Sequence, residues 1–89
     1  MAWRIELTAT AVKQLGKLDK GEAKRITRFL RERLELSDEP RSTGRALTGP
    51  AVGSYWRYRM ENYRLICDIQ DGVLCILVIE VGNRRDVYR

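Results

Sequence analysis

The sequence predicts an α+β fold: one small domain, ordered β-α-α-β-β-β, with a helical hairpin packed on one face of an antiparallel sheet. Three observations predict it. The hydrophobic period passes from two residues to 3.6 and back to two along the chain. A stretch over 37–53, holding both prolines and three of the seven glycines, divides the helical part from the strands that follow. Asp71-Gly72 stands between two strand-like runs as a hairpin signal. With 89 residues the chain makes a single domain over 1–89 with one modest core, so any active site is expected to be a surface groove.

Each element follows from its local pattern. Trp3 to Thr8 alternates apolar and charged residues, a half-buried first strand, after which Thr8 or Thr10 can cap a helix. Ala11, Val12, Leu15 and Leu18 fall at helical spacing, and Asp19-Lys20-Gly21 breaks the pattern. A second helix of roughly four turns carries the apolar stripe Ala23, Ile26, Phe29, Leu30 and Leu34. Its charged face (Lys24, Arg25, Arg28, Arg31, Glu32, Glu35) reads as solvated. Tyr55 to Met60, Tyr63 to Gln70 and Val73 to Val81 read as three strands joined by Glu61-Asn62 and Asp71-Gly72.

Composition narrows the chemistry. Hydrophobic residues make up 44% and charged residues 33%, the balance of a soluble globular domain. The longest apolar run, Val73 to Ile79, is far shorter than the roughly 20 residues a membrane span needs, and Met1-Ala2-Trp3-Arg4 begins no signal peptide, so a cytoplasmic protein is expected. Histidine is absent, which removes every His-based nucleophilic, acid–base and metal-binding arrangement. Two cysteines without a C-x-x-C pair read as small core residues; no metal and no cofactor are expected. Seventeen Lys and Arg against twelve Asp and Glu leave a net charge of +5, which suits an anionic partner. All four lysines lie between Lys13 and Lys24, and from Arg41 onward every basic residue is an arginine, whose planar fork suits bidentate contact with phosphate.

Counting outward from two-residue turns assigns the faces. Arg59 falls opposite Arg64 and Arg57 opposite Ile66, while Gln70 falls opposite Val73, Ile69 opposite Leu74 and Asp68 opposite Cys75. Tyr58, Tyr63, Leu65, Cys67, Ile69 and Val78 share the face toward the helices. Arg57, Arg59 and Arg64 share the other, and Cys67 and Cys75 fall on opposite faces, unbridged. Like charges facing each other across strands repel unless an anion is shared between them, so the trio points to a phosphate site. The alternative is that Asp68 or Glu61 neutralises it. Beyond Gly82 the chain carries Arg84, Arg85, Tyr88 and Arg89; positive surroundings lower a phenol's pKa, although a packed or stacking ring is the simpler reading of Tyr88 taken alone.

Trp56-Arg57-Tyr58-Arg59-Met60, Asn62-Tyr63-Arg64-Leu65-Ile66 and the run from Val78 to Tyr88 resemble the RelE branch of the RelE/ParE toxin superfamily, and order and length extend the resemblance to essentially the whole chain. The resemblance implies the RelE-like microbial RNase fold and the toxin of a type II toxin–antitoxin system. Such a toxin enters the ribosomal A site and cuts messenger RNA there without a metal. The 2′-hydroxyl attacks the adjacent 3′-phosphate, leaving a 2′,3′-cyclic phosphate and a free 5′-hydroxyl.

By the same resemblance Arg57 and Arg59 bind the phosphate, Arg64 supports transition-state charge, Arg84 lies near the leaving group and Tyr88 is the general base. Arg85 and Arg89 add RNA contacts. Arginine is a poor proton donor at neutral pH, so Arg84 is expected to act by electrostatic stabilisation. Asn83 stands where relatives often carry histidine or a basic residue. The implied partners are a RelB-like antitoxin, the ribosome with its messenger, and operator DNA through the antitoxin complex, with no membrane. The competing expectations are a ParE-like inhibitor of DNA gyrase and a non-catalytic RNA- or ribosome-binding module.

Overall fold

A computed structural model describes residues 3–47 and 55–83. Strand β1 (Arg4–Leu7) follows the predicted alternation through Glu6, with Trp3 and Ile5 turned to the core and Arg4 and Glu6 exposed, while Leu7 at its end is exposed rather than buried. Thr8 ends it and caps helix α1 (Ala9–Gly16), its Oγ1 accepting from the Ala11 amide at 3.2 Å and donating to the Ile79 carbonyl at 2.8 Å. One hydroxyl thus starts the helix and ties it to the sheet. Helix α2 (Lys20–Phe29) begins at Asp19, whose carboxylate accepts from the Glu22 amide at 2.8 Å. It continues through Leu30–Glu35 as a π-helical turn, seen in the bond from the Leu36 amide to the Arg31 carbonyl at 3.1 Å. Ile26, Leu30 and Leu34 of the predicted stripe are buried, Ala23 and Phe29 half-buried, and Lys24, Arg25, Arg28, Arg31 and Glu32 exposed.

The sheet has five strands in the order β1-β5-β4-β3-β2, with β2 at Arg45–Ala46, β3 at Tyr55–Met60, β4 at Tyr63–Gln70 and β5 at Cys75–Asn83. The α+β class and helical layer are as predicted, and three particulars differ. The sheet is mixed rather than antiparallel throughout, because β1 runs parallel to β5 with Ile5 opposite Ile76. Parallel neighbours need a long connection, and everything between β1 and β5 supplies one. Second, β2 arises inside the predicted loop, pairing Arg45 with Arg57 and Ala46 with Trp56.

Third, the β4–β5 connection is longer than two residues. Asp71–Val73 form a 3-10 turn and Leu74 adopts a left-handed conformation (φ 49°), so Gln70 faces Cys75, Ile69 faces Ile76 and Asp68 faces Leu77. The displacement by two preserves every face assignment. The β3–β4 turn pairs Met60 with Tyr63 and Arg59 with Arg64, as counted.

A bulge completes the sheet. Cys67 faces Val78 but Ile66 faces Glu80, leaving Ile79 as the extra residue. Without it Glu80 would lie opposite Leu65 on the core face, an unpaired charge in apolar surroundings. With it Val81 takes that place at 5% exposure, and Glu80 is exposed.

Tyr58 and Tyr63 lock the helical layer to the sheet. Tyr58 is fully buried, its ring edge-on to Phe29, and its hydroxyl donates to the Pro40 carbonyl at 2.6 Å. The Tyr63 hydroxyl donates to the Glu22 carboxylate, and this bond together with burial pushes the phenol up to about 12. A phenol whose value is raised on folding contributes stability below its ordinary value of 10 and loses that contribution as pH rises toward 12. The stability difference between wild type and Tyr63→Phe is therefore expected to be constant near neutrality and to shrink between pH 10 and 12 in urea titrations. A constant difference across that window would refute the coupling.

Cys67 and Cys75 are free, buried and on opposite faces, as counted. Burial pushes the Cys67 thiol up to about 12, and burial followed by the Glu6 carboxylate raises Cys75. Neither is expected to react with iodoacetamide at pH 7.5 in the folded protein, and both should react in urea. Fast alkylation of the native protein would contradict this packing. Among the described residues no helix is long and apolar enough to cross a membrane.

Candidate phosphate-binding groove

The sheet face away from the helices carries a strip of arginines placed there by register alone. Arg57 and Arg59 are two apart on β3, Arg59 faces Arg64 on β4, and Arg45 faces Arg57 on β2. Four guanidinium-bearing positions therefore share one face across three strands. Arg59 and Arg45 are exposed, and Arg57 and Arg64 are half-buried. Gly44, Arg45, Arg57 and Arg59 line a hollow of about 440 Å³, with no acidic residue in its wall among the described residues. Beside Arg64 on β5 lies Gly82, which adds no side chain over the strip.

The two carboxylates expected to neutralise this strip are engaged elsewhere, and Glu80, which faces Ile66 on the same side of the sheet, makes no ion pair with it among the described residues. Glu61 lies 3.5 Å from Arg25 on α2, and Asp68 accepts from the Gln70 side-chain amide at 3.1 Å. Among the described residues no ion pair reaches Arg45, Arg57, Arg59 or Arg64. Arg41, by contrast, is engaged: its guanidinium grips Asp71 through two bonds of 2.9 and 2.8 Å. That pair raises Arg41 and holds the Asp71 carboxyl below its usual range. The chain separates a structural arginine from an uncompensated set.

Gly44 shapes the groove. It has φ +79°, and a Cβ placed there would lie 2.5 Å from the Arg57 carbonyl oxygen and 2.6 Å from the Trp56 indole nitrogen. The Trp56 Nε1–H donates to the Thr43 carbonyl at 2.7 Å. The backbone entering β2 thus lies directly against β3, which brings Arg45 alongside Arg57.

Of the residues singled out from the sequence, Arg57, Arg59 and Arg64 are brought together, and Arg84, Arg85, Tyr88 and Arg89 lie outside the described residues. Arg45 was missed as a site residue. Its signal, the short alternation Arg45-Ala46-Leu47, is too brief to read as a strand without a partner to pair with.

Chemically, the strip can hold a tetrahedral anion between forked donors and lower the energy of charge that grows on its oxygens. Guanidinium groups keep their protons at neutral pH, so these four arginines stabilise charge and do not transfer protons.

Comparison with known proteins agrees with this architecture. Residues 5–88 match the family described as ParE toxin of type II toxin-antitoxin system, parDE. Toxin RelG of Mycobacterium tuberculosis (strain ATCC 25618 / H37Rv) is 29% identical over 89 residues, covering 100% of this chain and 99% of that protein. The fold is similar to the toxin–antitoxin complex RelBE2 from Mycobacterium tuberculosis (TM-score 0.84, 25% identity, 94% of this chain and 100% of the other). It is also similar to the archaeal RelE-RelB complex from Pyrococcus horikoshii OT3 (TM-score 0.74, 27% identity, 94% and 97%).

Proposed function

The chain belongs to the ParE toxin family of type II toxin–antitoxin systems, within the RelE/ParE superfamily, and from that premise we propose that it acts as a ribosome-dependent endoribonuclease that cuts messenger RNA in the A site. The observation that carries this reading is the uncompensated arginine strip, with Arg59 directly opposite Arg64 and, among the described residues, no carboxylate in the wall of the adjoining groove. Such an arrangement is unfavourable in the free protein and becomes favourable with a phosphodiester between the strands.

In the proposed reaction the 2′-oxygen attacks its neighbouring phosphorus, the bond to the 5′-oxygen breaks, and the proton lost from the 2′-hydroxyl is matched by one gained at the leaving oxygen. The products are a 2′,3′-cyclic phosphate and a 5′-hydroxyl, with no metal, oxidant or cofactor consumed. Arg57 and Arg59 clamp the phosphate, and Arg64 stabilises charge on its non-bridging oxygens. Arg84 is assigned to the leaving oxygen, Tyr88 to the base, and Arg85 and Arg89 to flanking RNA. A shallow groove orients the 2′-oxygen weakly by itself, and alignment by the ribosome can supply several kcal/mol of the barrier, so free RNA is expected to be cut slowly.

The partners assigned are a RelB-like antitoxin whose amphipathic segment covers the basic groove, operator DNA reached through that complex, and the cytoplasmic ribosome. A second reading, inhibition of DNA gyrase, is favoured by the description of the matching family as ParE. Primer extension on a defined messenger in a purified translation system, with wild type and Arg64→Ala, tests the choice. Codon-phased cuts ending in cyclic phosphate, insensitive to EDTA and lost in the variant, support the nuclease. Intact messenger together with blocked gyrase supercoiling would overturn it.

A further inference from the structure

Beside the arginine groove lies a second hollow, of about 450 Å³, that the cleavage reading leaves unused. Phe29, Glu32 and Arg33 form its wall on the side of α2 and its π-turn, and Ser42, Thr43 and Tyr58 form the wall on the sheet side. Gly44 and Arg59 belong to both hollows, so the two adjoin at the β2–β3 edge.

The two hollows differ in kind. Among the described residues one is lined by arginine and glycine. The other combines the Phe29 ring, hydroxyls, one carboxylate and two guanidinium groups, within the roughly 300–1,000 Å³ range of small-ligand sites. Its polar groups are available: the side chains of Glu32, Arg33, Ser42 and Thr43 make no hydrogen bond or ion pair with another described residue. The Tyr58 hydroxyl, in contrast, is committed to the Pro40 carbonyl, and the fully buried Tyr58 backs the hollow without offering it a polar group. An anion alone would gain nothing from Glu32. A flat heteroaromatic ring gains from every wall, by packing on Phe29 and by pairing its edge donors and acceptors with Glu32, Arg33 and the hydroxyls.

We propose that this hollow receives a nucleobase of the RNA strand whose phosphate the arginine groove holds, and so sets which base flanks the bound phosphate. The inference rests on the RNA reading of the groove. It adds a base-selecting subsite formed by Phe29, Glu32, Arg33, Ser42 and Thr43. The β3 edge at Gly44 and Arg59 is the rim over which the strand passes from one hollow to the other.

The test is an amide and aromatic NMR titration of the full chain with inorganic phosphate, ribose 5-phosphate and the four nucleoside 3′-monophosphates. Phosphate and ribose phosphate are expected to shift Arg45, Arg57 and Arg59. The nucleotides are expected to shift Ser42, Thr43 and the Phe29 ring as well. Phe29→Leu should weaken nucleotide binding about tenfold while leaving phosphate binding unchanged. Glu32→Gln, at an exposed position where folding is not at stake, should reorder the affinities of the four bases. Nucleotides that perturb no more than ribose phosphate does, or an unaltered base ranking in Glu32→Gln, would overturn the subsite. An acidic peptide that shifts Ser42 and Thr43 where nucleotides do not would overturn it in favour of a protein occupant. Base-dependent shifts from a toxin that leaves messenger intact on the ribosome would retain the subsite and remove the nuclease reading alone.

Discussion

Arg64→Ala is expected to lower messenger cleavage by about 10²- to 10³-fold while leaving the fold as stable as before, or more so. The first half follows from removing a fixed cation aimed at charge that develops on phosphate oxygens, a class of change that costs roughly this much in catalysis. The second half follows from register. Arg64 lies directly across from Arg59, and among the described residues neither has a carboxylate partner. Directly opposed like charges destabilise a strand pair, by an amount within the roughly 0.2–1 kcal/mol of cross-strand pairs generally. Single-turnover cleavage on pre-stalled ribosomes gives the activity, and urea unfolding gives the stability. Parallel loss of both would mean that Arg64 supports the sheet instead of a bound phosphate, and the groove would lose its chemical meaning. Adding phosphate should stabilise wild type more than the variant, because a ligand held by the native state alone shifts unfolding by mass action.

Gly44→Val is expected to be the most damaging single change outside the buried core. A side chain there adopts a backbone conformation strained for any residue with a Cβ, costing about 1–3 kcal/mol. It must also displace the Arg57 carbonyl oxygen, the Trp56 indole nitrogen and, at 2.9 Å, the Tyr58 ring, an overpacking cost of about 1–3 kcal/mol more. The first two are committed to strand and loop hydrogen bonds, so the relief available is small. For a domain of this size each 1 kcal/mol moves the melting temperature by about 4–8 °C, so a fall on the order of 10–30 °C is expected by circular dichroism. Gly16 and Gly72 provide controls, since a Cβ at either meets nothing within 4 Å. Alanine at those positions should change the melting temperature by a few degrees at most. If Gly44→Val melts like the controls, the close approach of the β2 entry to β3 is not a feature of the folded protein.

Local pattern by itself determined a good deal of this protein. The alternation from Trp3 to Glu6, the stripe through Ile26, Leu30 and Leu34, and the two-residue turn at Glu61-Asn62 each depend on neighbours within a few residues, and each is present in the structure. The convergence of Arg57, Arg59 and Arg64 was legible for the same reason. Side chains alternate along a strand, and a tight turn transmits that count to the next strand without help from the rest of the chain. The longer turn at Asp71–Val73 leaves the face assignments intact, because its extra length shifts the register by an even number.

What the tertiary structure alone decided involves residues distant in sequence. The parallel pairing of β1 with β5 joins positions some seventy residues apart, and nothing in either segment names the other. The two-residue β2 has too little pattern to be read as a strand and exists because Gly44 allows the backbone to lie against β3. That contact carries Arg45 into the groove and creates the neighbouring hollow. The bulge at Ile79 is likewise a response to the assembled core: only when β5 is laid against Leu65 does keeping Glu80 out and bringing Val81 in become a difference in burial energy. Strand parity, a local quantity, placed the three central arginines; nonlocal packing completed the groove around them, because the energy that selects a pairing partner is realised only when both partners are in place.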